Sequence, residues 1–284
     1  MIQHRFPAQF ARTTNALARR LVLITGASSG IGLGFARVYA ANGWDVAVTA
    51  RRADRLNTLC DEVRLRFGVE AYALPADLSD PATPENLQKG ILALGRTVDG
   101  LVNNAGYGQP GGFLGNTYDT HRAFMQVMML SPTELIHRFL PGMVEQAFGR
   151  IVNVASLAGY LPASPGDTLY GPIKTYLTRF SQSLHLEVRD RGVHVTALCP
   201  GFTISEFHDV TGQRSKLSKA IPQWAQFVWM GADEVAREGF QAAEANRACC
   251  VTGAPNKLAA ALLKVLPDDW TMELVARHLR NIDR

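Results

Sequence analysis

The sequence is poor in cysteine. Its 284 residues hold four, Cys60, Cys199, Cys249 and Cys250, and no two form a C-x-x-C pair. No histidine cluster stands at metal-ligand spacing. A disulfide-stapled secreted scaffold and a cysteine-rich metal site are both excluded, and the thiols read as reduced ones in a cytoplasmic protein. Cys249 and Cys250 are adjacent and alternate faces if they lie on a strand, so they read as buried, inert thiols, with a redox pair as the alternative. No apolar run reaches the ~18 residues that a membrane helix needs. Acidic residues are absent until Asp45, whereas the first twenty positions carry Arg5, Arg12, Arg19 and Arg20. That stretch has no secretory apolar core, and it reads as an N-terminal extension, with an amphipathic targeting peptide as the alternative. The net charge of +4 and the pI near 9.0 are not gathered into a Lys/Arg run, so a nucleic-acid partner is not expected. Repeats, low-complexity segments and Pro/Gly/Ser linkers are also missing. One domain is the economical reading, and a chain of this length can bury its core without staples.

What is present is an alternation of apolar strand runs and helix-length patterns. The runs fall at 21–25, 45–50, 69–74, 98–102, 149–155 and 193–199, with a seventh near 248–252. Strands alternating with helices predict an α/β fold, a doubly wound parallel sheet of about seven strands covered on both faces. The expected layout is an extension over 1–20, the sheet domain over 21–265 and a tail over 266–284. The alternation breaks between about 202 and 232, where Trp224, Phe227 and Trp229 stand. An apolar insertion at the carboxyl edge of such a sheet is a candidate lid over a substrate.

The first strand, Leu21-Val22-Leu23-Ile24, runs into Thr25-Gly26-Ala27-Ser28-Ser29-Gly30-Ile31-Gly32 and then a helical pattern. A strand that turns through glycines into a helix can hold a phosphate, because the backbone approaches closely and the helix start offers unpaired N–H groups. Gly26 suits the tight turn, Gly30 the pyrophosphate and Gly32 close helix–strand packing. Ser28, Ser29 and Ile31 complete the cradle. The second strand ends at Ala50, followed by Arg51-Arg52, with no acid to receive ribose hydroxyls. Guanidiniums there suit a 2′-phosphate, so NADP(H) is expected as cofactor, with Arg51 as the main contact and Arg52 beside it.

Three further motifs follow in order: Asn103-Asn104-Ala105-Gly106 after a strand, Ser156 after Ile151-Val152-Asn153-Val154-Ala155, and Tyr170-Gly171-Pro172-Ile173-Lys174. Cys199-Pro200-Gly201 comes next. In this order and at these distances the set resembles the short-chain dehydrogenase/reductase family over roughly residues 20 to 265. The resemblance implies a hydride-transferring oxidoreductase. It gives Asp77, with Leu78 beside it, the adenine contact, and places Asn104, Ala105 and Gly106 at the adenosine side. Pro200, Gly201, Thr203 and Ser205 correspond to positions that meet the nicotinamide carboxamide.

Tyr170 and Lys174 are four apart, so a helix puts them on one face, one turn from each other. A tyrosine near its reference pKa of ~10 is a poor acid–base group at neutral pH. A neighbouring ammonium favours the phenolate. Tyr170 can then exchange a proton with a substrate oxygen that the Ser156 hydroxyl holds and polarises. By resemblance, Lys174 also binds the nicotinamide ribose. Pro172 requires the helix to begin close before it, with Asp167 or Thr168 as the expected N-cap. One position departs from the family. Members usually carry an asparagine in the preceding long helix, where it helps hold a relay water, and the matching residue here is Met128. A Met128→Asn exchange is therefore expected to preserve folding and to maintain or raise activity.

Leu157, Tyr160, Phe202, Phe207, Trp224 and Trp229 suggest an apolar pocket and thus a hydrophobic aldehyde, ketone or alcohol. Apolar stripes at Ile173, Leu177, Phe180, Leu184 and Val188, and at Phe124, Val127, Leu135 and Phe139, suggest helix pairing in a homodimer or homotetramer. Two rival readings stand beside the reductase. One is a catalytically weak NADP(H)-binding sensor or scaffold, motivated by Met128. The other is a membrane-surface protein that uses residues 1–20 and the amphipathic tail.

Overall fold

The computed structural model describes residues 19–163, 166–204 and 229–282. Residues 1–18, most of the expected lid, and with it Ser205, Phe207 and Trp224, lie outside the described residues.

Seven strands form one parallel sheet: β1 (Leu21–Thr25), β2 (Asp45–Thr49), β3 (Ala71–Ala73), β4 (Gly100–Asn103), β5 (Gly149–Val154), β6 (Val193–Cys199) and β9 (Cys249–Val251), in the order β3-β2-β1-β4-β5-β6-β9. All five residues of β1 are buried. That is the signature of a central strand covered on both faces, and it explains the unbroken apolar run. Its side chains alternate between two cores. Val22 and Ile24 pack with Phe35 and Tyr39 of α1 (Gly30–Ala41) and with Val235 of α7 (Ala232–Glu244). Leu21 and Leu23 pack on the other face with Leu135 and Phe139 of α5 (Ser131–Glu145) and Val188 of α6 (Tyr170–Val188). The helices α2 (Ala53–Phe67) and α3 (Thr83–Ala93) complete the two layers. Asp45, the first acid of the chain, is buried at the amino edge of β2. Its carboxylate accepts from Arg96 at 2.9 Å and from the Glu70 N–H.

The strand order reverses between β1 and β4, so the connections leaving these strands diverge to opposite faces. A crevice opens there at the carboxyl edge, where a ligand fits in such sheets. All of the sequence motifs sit along that edge.

The insertion is tied at its base. Thr203–Ile204 (β7) and Met230–Gly231 (β8) pair as a small parallel ladder, Thr203 opposite Met230, and the Phe202 and Trp229 rings lie 5.3 Å apart. Beyond β9 come α8 (Ala254–Leu263) and α9 (Asp268–Ile282). Among the described residues no helix is long and apolar enough to cross a membrane, and no group of three or more His, Cys, Asp or Glu side chains could hold a metal ion.

Most of the apolar stripe residues expected to pair between subunits pack into the chain's own core, and Phe180 is partly buried. Ile173, Leu177, Leu184 and Val188 are buried, as are Phe124, Val127, Leu135 and Phe139.

Candidate active site

The glycine turn is defined by contacts that no side chain could share. Gly26 has φ +66°, and a Cβ there would stand 2.8 Å from the Ala105 backbone. A Cβ on Gly32 would meet the Gly26 carbonyl oxygen at 2.4 Å. Asn104 ties the next loop to this turn. Its Nδ2 donates to Thr25 O at 2.9 Å and to Gly26 O at 3.2 Å, while Thr25 Oγ1 receives the N–H groups of Asn104 and Ala105. Ser29 is the N-cap residue of α1, yet its side chain makes no cap bond. Instead, the hydroxyls of Ser28 and Ser29 accept from Arg52, Nη2 lying 2.9 Å and 3.1 Å from them.

Arg52, rather than Arg51, therefore reaches the turn. Arg51 and Asp77 lie near Tyr107, where they act in opposite senses on a phenol that burial pushes up. Asp77 Oδ1 accepts the Ser79 N–H at 2.9 Å and shapes its own loop, and the Leu78 carbonyl is held by Ser131 Oγ at 2.8 Å. A cleft of about 600 Å³ opens beside the turn, lined by Ser28, Ser29, Gly30, Arg55 and Thr58 and closed by Gly231 and Asp233. Arg55 escaped the sequence reading. Its signal was present, one helical turn after Arg52. Hydroxyls, two guanidiniums and a helix start with no side-chain cap form a donor set suited to a phosphorylated nucleotide.

The second cluster sits at the end of β5. Ser156 follows the strand and caps a short 3-10 turn, Leu157–Tyr160, its Oγ accepting the Ala158 N–H at 3.1 Å. The Leu157 N–H donates to Pro200 O at 2.8 Å, which ties this turn to the Pro200-Gly201 loop, where Thr203 Oγ1 donates to Gly201 O at 3.2 Å. Tyr170 opens α6, preceded by Leu169 without a side-chain cap, so neither Asp167 nor Thr168 caps the helix as expected. The Asp167 carbonyl accepts the Tyr170 N–H instead. Pro172 is then the third helical residue, where its missing N–H has no carbonyl to serve.

The Ser156 hydroxyl is close enough to the Tyr170 phenol to pull its pKa down. Lys174 is buried one turn on, with Nζ 5.5 Å from the centre of the Tyr170 ring and 2.7 Å from Val154 O, to which it donates. Burial pushes Tyr170 up to about 12, against the pull of Ser156 and with the Asp167 charge adding to the rise. Burial lowers Lys174 to about 8. Among the protein's own groups, desolvation thus outweighs the Ser156 hydroxyl, and the phenol holds its proton at neutral pH. The expected lowering of Tyr170 is not reached by Lys174 alone.

Met128 is fully buried, and its Sδ packs against Gly106, where an added Cβ would stand 2.6 Å from it. The departure at this position lies in the backbone as well. Pro132 has no N–H to give the Met128 carbonyl four residues earlier. The chain passes through a π turn, Gln126–Leu130, between α4 (Tyr118–Met125) and α5. Tyr160 is not the simple pocket wall that its sequence position suggests. Its hydroxyl hydrogen-bonds Cys249 Sγ at 3.2 Å.

Comparison with known proteins agrees with this arrangement. The chain is 34% identical over 206 residues to sulfoacetaldehyde reductase 2 of Chromohalobacter salexigens, covering 71% of this chain and 80% of that one. It is 31% identical over 205 residues to the human very-long-chain 3-oxoacyl-CoA reductase, covering 71% of this chain and 64% of the relative, so it spans just under two thirds of that protein's length. A short-chain dehydrogenase from Sphingobium yanoikuyae, solved in complex with NADPH, superposes with a TM-score of 0.74 at 29% identity, covering 87% of this chain and 96% of that one. The family description "short chain dehydrogenase" matches residues 20–215. With more than half of its length in that match, and with a glycine turn, a sheet and a Ser–Tyr–Lys cluster of this geometry, the chain belongs to the short-chain dehydrogenase/reductase family of oxidoreductases.

Proposed function

We propose that the chain is an NADP(H)-dependent oxidoreductase that interconverts a hydrophobic aldehyde or ketone and its alcohol, with Tyr170 as the proton donor and acceptor. The observation that carries this reading is the gathering of Ser156, Tyr170 and Lys174 at the carboxyl end of β5, with Lys174 Nζ 5.5 Å from the centre of the Tyr170 ring and Ser156 close enough to the phenol to lower its pKa. The cofactor assignment is supported by Arg52 on Ser28 and Ser29 and by Arg55 in the adjoining cleft, together with the NADPH held by the Sphingobium relative. The names of the two reductases above describe reduction of a carbonyl or an oxoacyl group.

Gly26, Ser28, Ser29, Gly30, Ile31 and Gly32 would hold the pyrophosphate, Arg52 and Arg51 the 2′-phosphate, and Asp77, Leu78, Asn104, Ala105 and Gly106 the adenosine. Pro200, Gly201, Thr203 and Ser205 would meet the nicotinamide end. When bound, the cofactor supplies or accepts the hydride. Ser156 holds the substrate oxygen and stabilises negative charge as it develops there. Tyr170, protonated at neutral pH, gives its proton to that oxygen in reduction and takes it back in oxidation. Lys174 brings positive charge to the same side of the ring. A homodimer or homotetramer is supported by the exposed Leu258, Leu262 and Trp270 of the C-terminal helices and Val265 of the turn between them.

The test is NADPH consumption by the purified chain over a panel of apolar aldehydes and ketones, with the matching alcohols and NADP⁺ run in reverse. Tyr170→Phe is expected to lower turnover by about 10²–10⁴-fold, the usual worth of a positioned acid–base group. Because the phenol sits high and oxidation needs its deprotonated form, the alcohol-oxidising rate should rise with pH. NADPH binding with no turnover of any carbonyl would favour the sensor reading.

A further inference from the structure

The proposed reaction leaves the four thiols unused, and they are not alike. Cys60, Cys199 and Cys250 are buried, and Cys249 alone is partly exposed. Cys249 and Cys250 leave β9 on opposite faces of the sheet. Cys250 turns to α7, its Sγ 3.9 Å from the Glu238 carbonyl, and burial pushes its thiol up. Cys249 turns to the α6 face. There its Sγ lies 3.2 Å from the Tyr160 hydroxyl and 4.0 Å from Cys199 Sγ. Cys199 Sγ is in turn 3.7 Å from Thr178 Oγ1. A negative sulfur at Cys249 would therefore receive an O–H and an S–H. Positive charge lies on the same side, with Lys264 Nζ 5.3 Å from the centre of the Tyr160 ring. These donors, with the fields of Lys264 and Arg179, hold Cys249 below the ordinary thiol value against its burial, while its partner Cys199 is held above. A thiolate that is partly exposed and electropositively placed is the reactive kind, and a buried thiol in apolar surroundings is not.

We propose that Cys249 is a nucleophilic thiol and the chain's site of exchange with small disulfides. The Cys249 thiolate attacks one sulfur of the disulfide. A new S–S bond joins Cys249 to one half of the reagent as the reagent's own S–S bond breaks. The other half leaves as a thiolate and takes up the proton that Cys249 released, so the disulfide is reduced as Cys249 is oxidised. The product stays a mixed disulfide. Ala197, not Cys199, stands opposite Cys249 in the β6–β9 ladder, and the Cys199 and Cys249 sulfurs lie 4.0 Å apart, about twice the S–S length of a disulfide. The adduct displaces the Tyr160 hydrogen bond at the end of the turn that Ser156 caps. Cys199, whose sulfur lies 4.0 Å from that of Cys249, is in turn close enough to Lys174 to act on its charge.

The experiment is incubation of the full chain with glutathione disulfide at pH 7, acid quenching over a time course, and peptide mass mapping of all four cysteines. The expected result is one glutathione per chain, on Cys249, formed about tenfold or more faster than on Cys60, Cys199 or Cys250. The same chain in urea should modify its four cysteines at similar rates, which assigns the difference to the fold. Cys249→Ser should lose the fast adduct. Cys199→Ala and Tyr160→Phe should each slow it several-fold while the circular dichroism spectrum is unchanged. Equal rates at the four cysteines, a first adduct elsewhere, no adduct, or a Cys199–Cys249 disulfide would each overturn the assignment. The wild-type map decides this even if a variant fails to fold.

Discussion

The two halves of the sheet meet a ligand with different materials. From β1 to β4 the carboxyl edge is mostly backbone, with a left-handed glycine, a glycine pressed on a carbonyl, and an asparagine whose amide holds two backbone oxygens. From β5 to β9 the edge is mostly side chains, with Ser156 acting on Tyr170, Lys174 on a strand carbonyl, and a thiol pair between β6 and β9. A surface made of backbone tolerates no added atom. A surface made of side chains tolerates shape changes but depends on their charge states. Substitutions should thus fail sterically in the first half and chemically in the second.

The largest expected effect is in the first half. Gly32→Ala places a methyl 2.4 Å from Gly26 O and 2.5 Å from the Asn104 amide, and both of those neighbours are fixed by the bonds they already make. Overpacking of this kind costs about 1–3 kcal/mol or more, and the melting temperature should fall along with NADPH affinity. Gly231→Ala is the contrasting test on the same cleft. Its φ is −69° and its Cβ would meet nothing within 4 Å, so stability should change by no more than about 0.5 kcal/mol. Equal losses in the two variants would break the comparison.

An intermediate effect is expected where the halves touch. Met128→Asn puts an amide at a site with 1% exposure, packed on Gly106. Lost apolar burial and an amide taken out of water together cost roughly 1–2 kcal/mol. Urea denaturation should show that loss, which reverses the expectation from sequence that folding would be preserved. An unchanged midpoint would mean that the helix can turn the amide toward a partner.

The strand alternation made the sheet legible in the sequence, because strands covered on both faces must be apolar throughout. The four-residue spacing of Tyr170 and Lys174 was legible because a helix turns in 3.6 residues. What could not be read was set by contacts distant in sequence. Tyr160 finds Cys249 across 89 residues. The helix stripe at Ile173–Val188 was legible as an apolar face, but periodicity does not say which body that face meets.

The smallest effect is the one that distinguishes two adjacent arginines. Sequence alone favours Arg51, the first cation after the strand. In the structure Arg52 puts its guanidinium on both serines of the glycine turn, while Arg51 stands on the side of Tyr107 and Asp77. A 2′-phosphate at the cleft would gain charge-assisted bonds from Arg52, and a 2′-hydroxyl would gain much less. Arg52→Ala should weaken NADPH binding by about tenfold and NADH binding hardly at all, and Arg51→Ala should do the same to a smaller degree. Fluorescence titration of both nucleotides reads the two variants directly. If Arg51→Ala has the larger effect, the cation that matters leaves the turn to meet its ligand, and this edge of the first half behaves like the side-chain surface of the second.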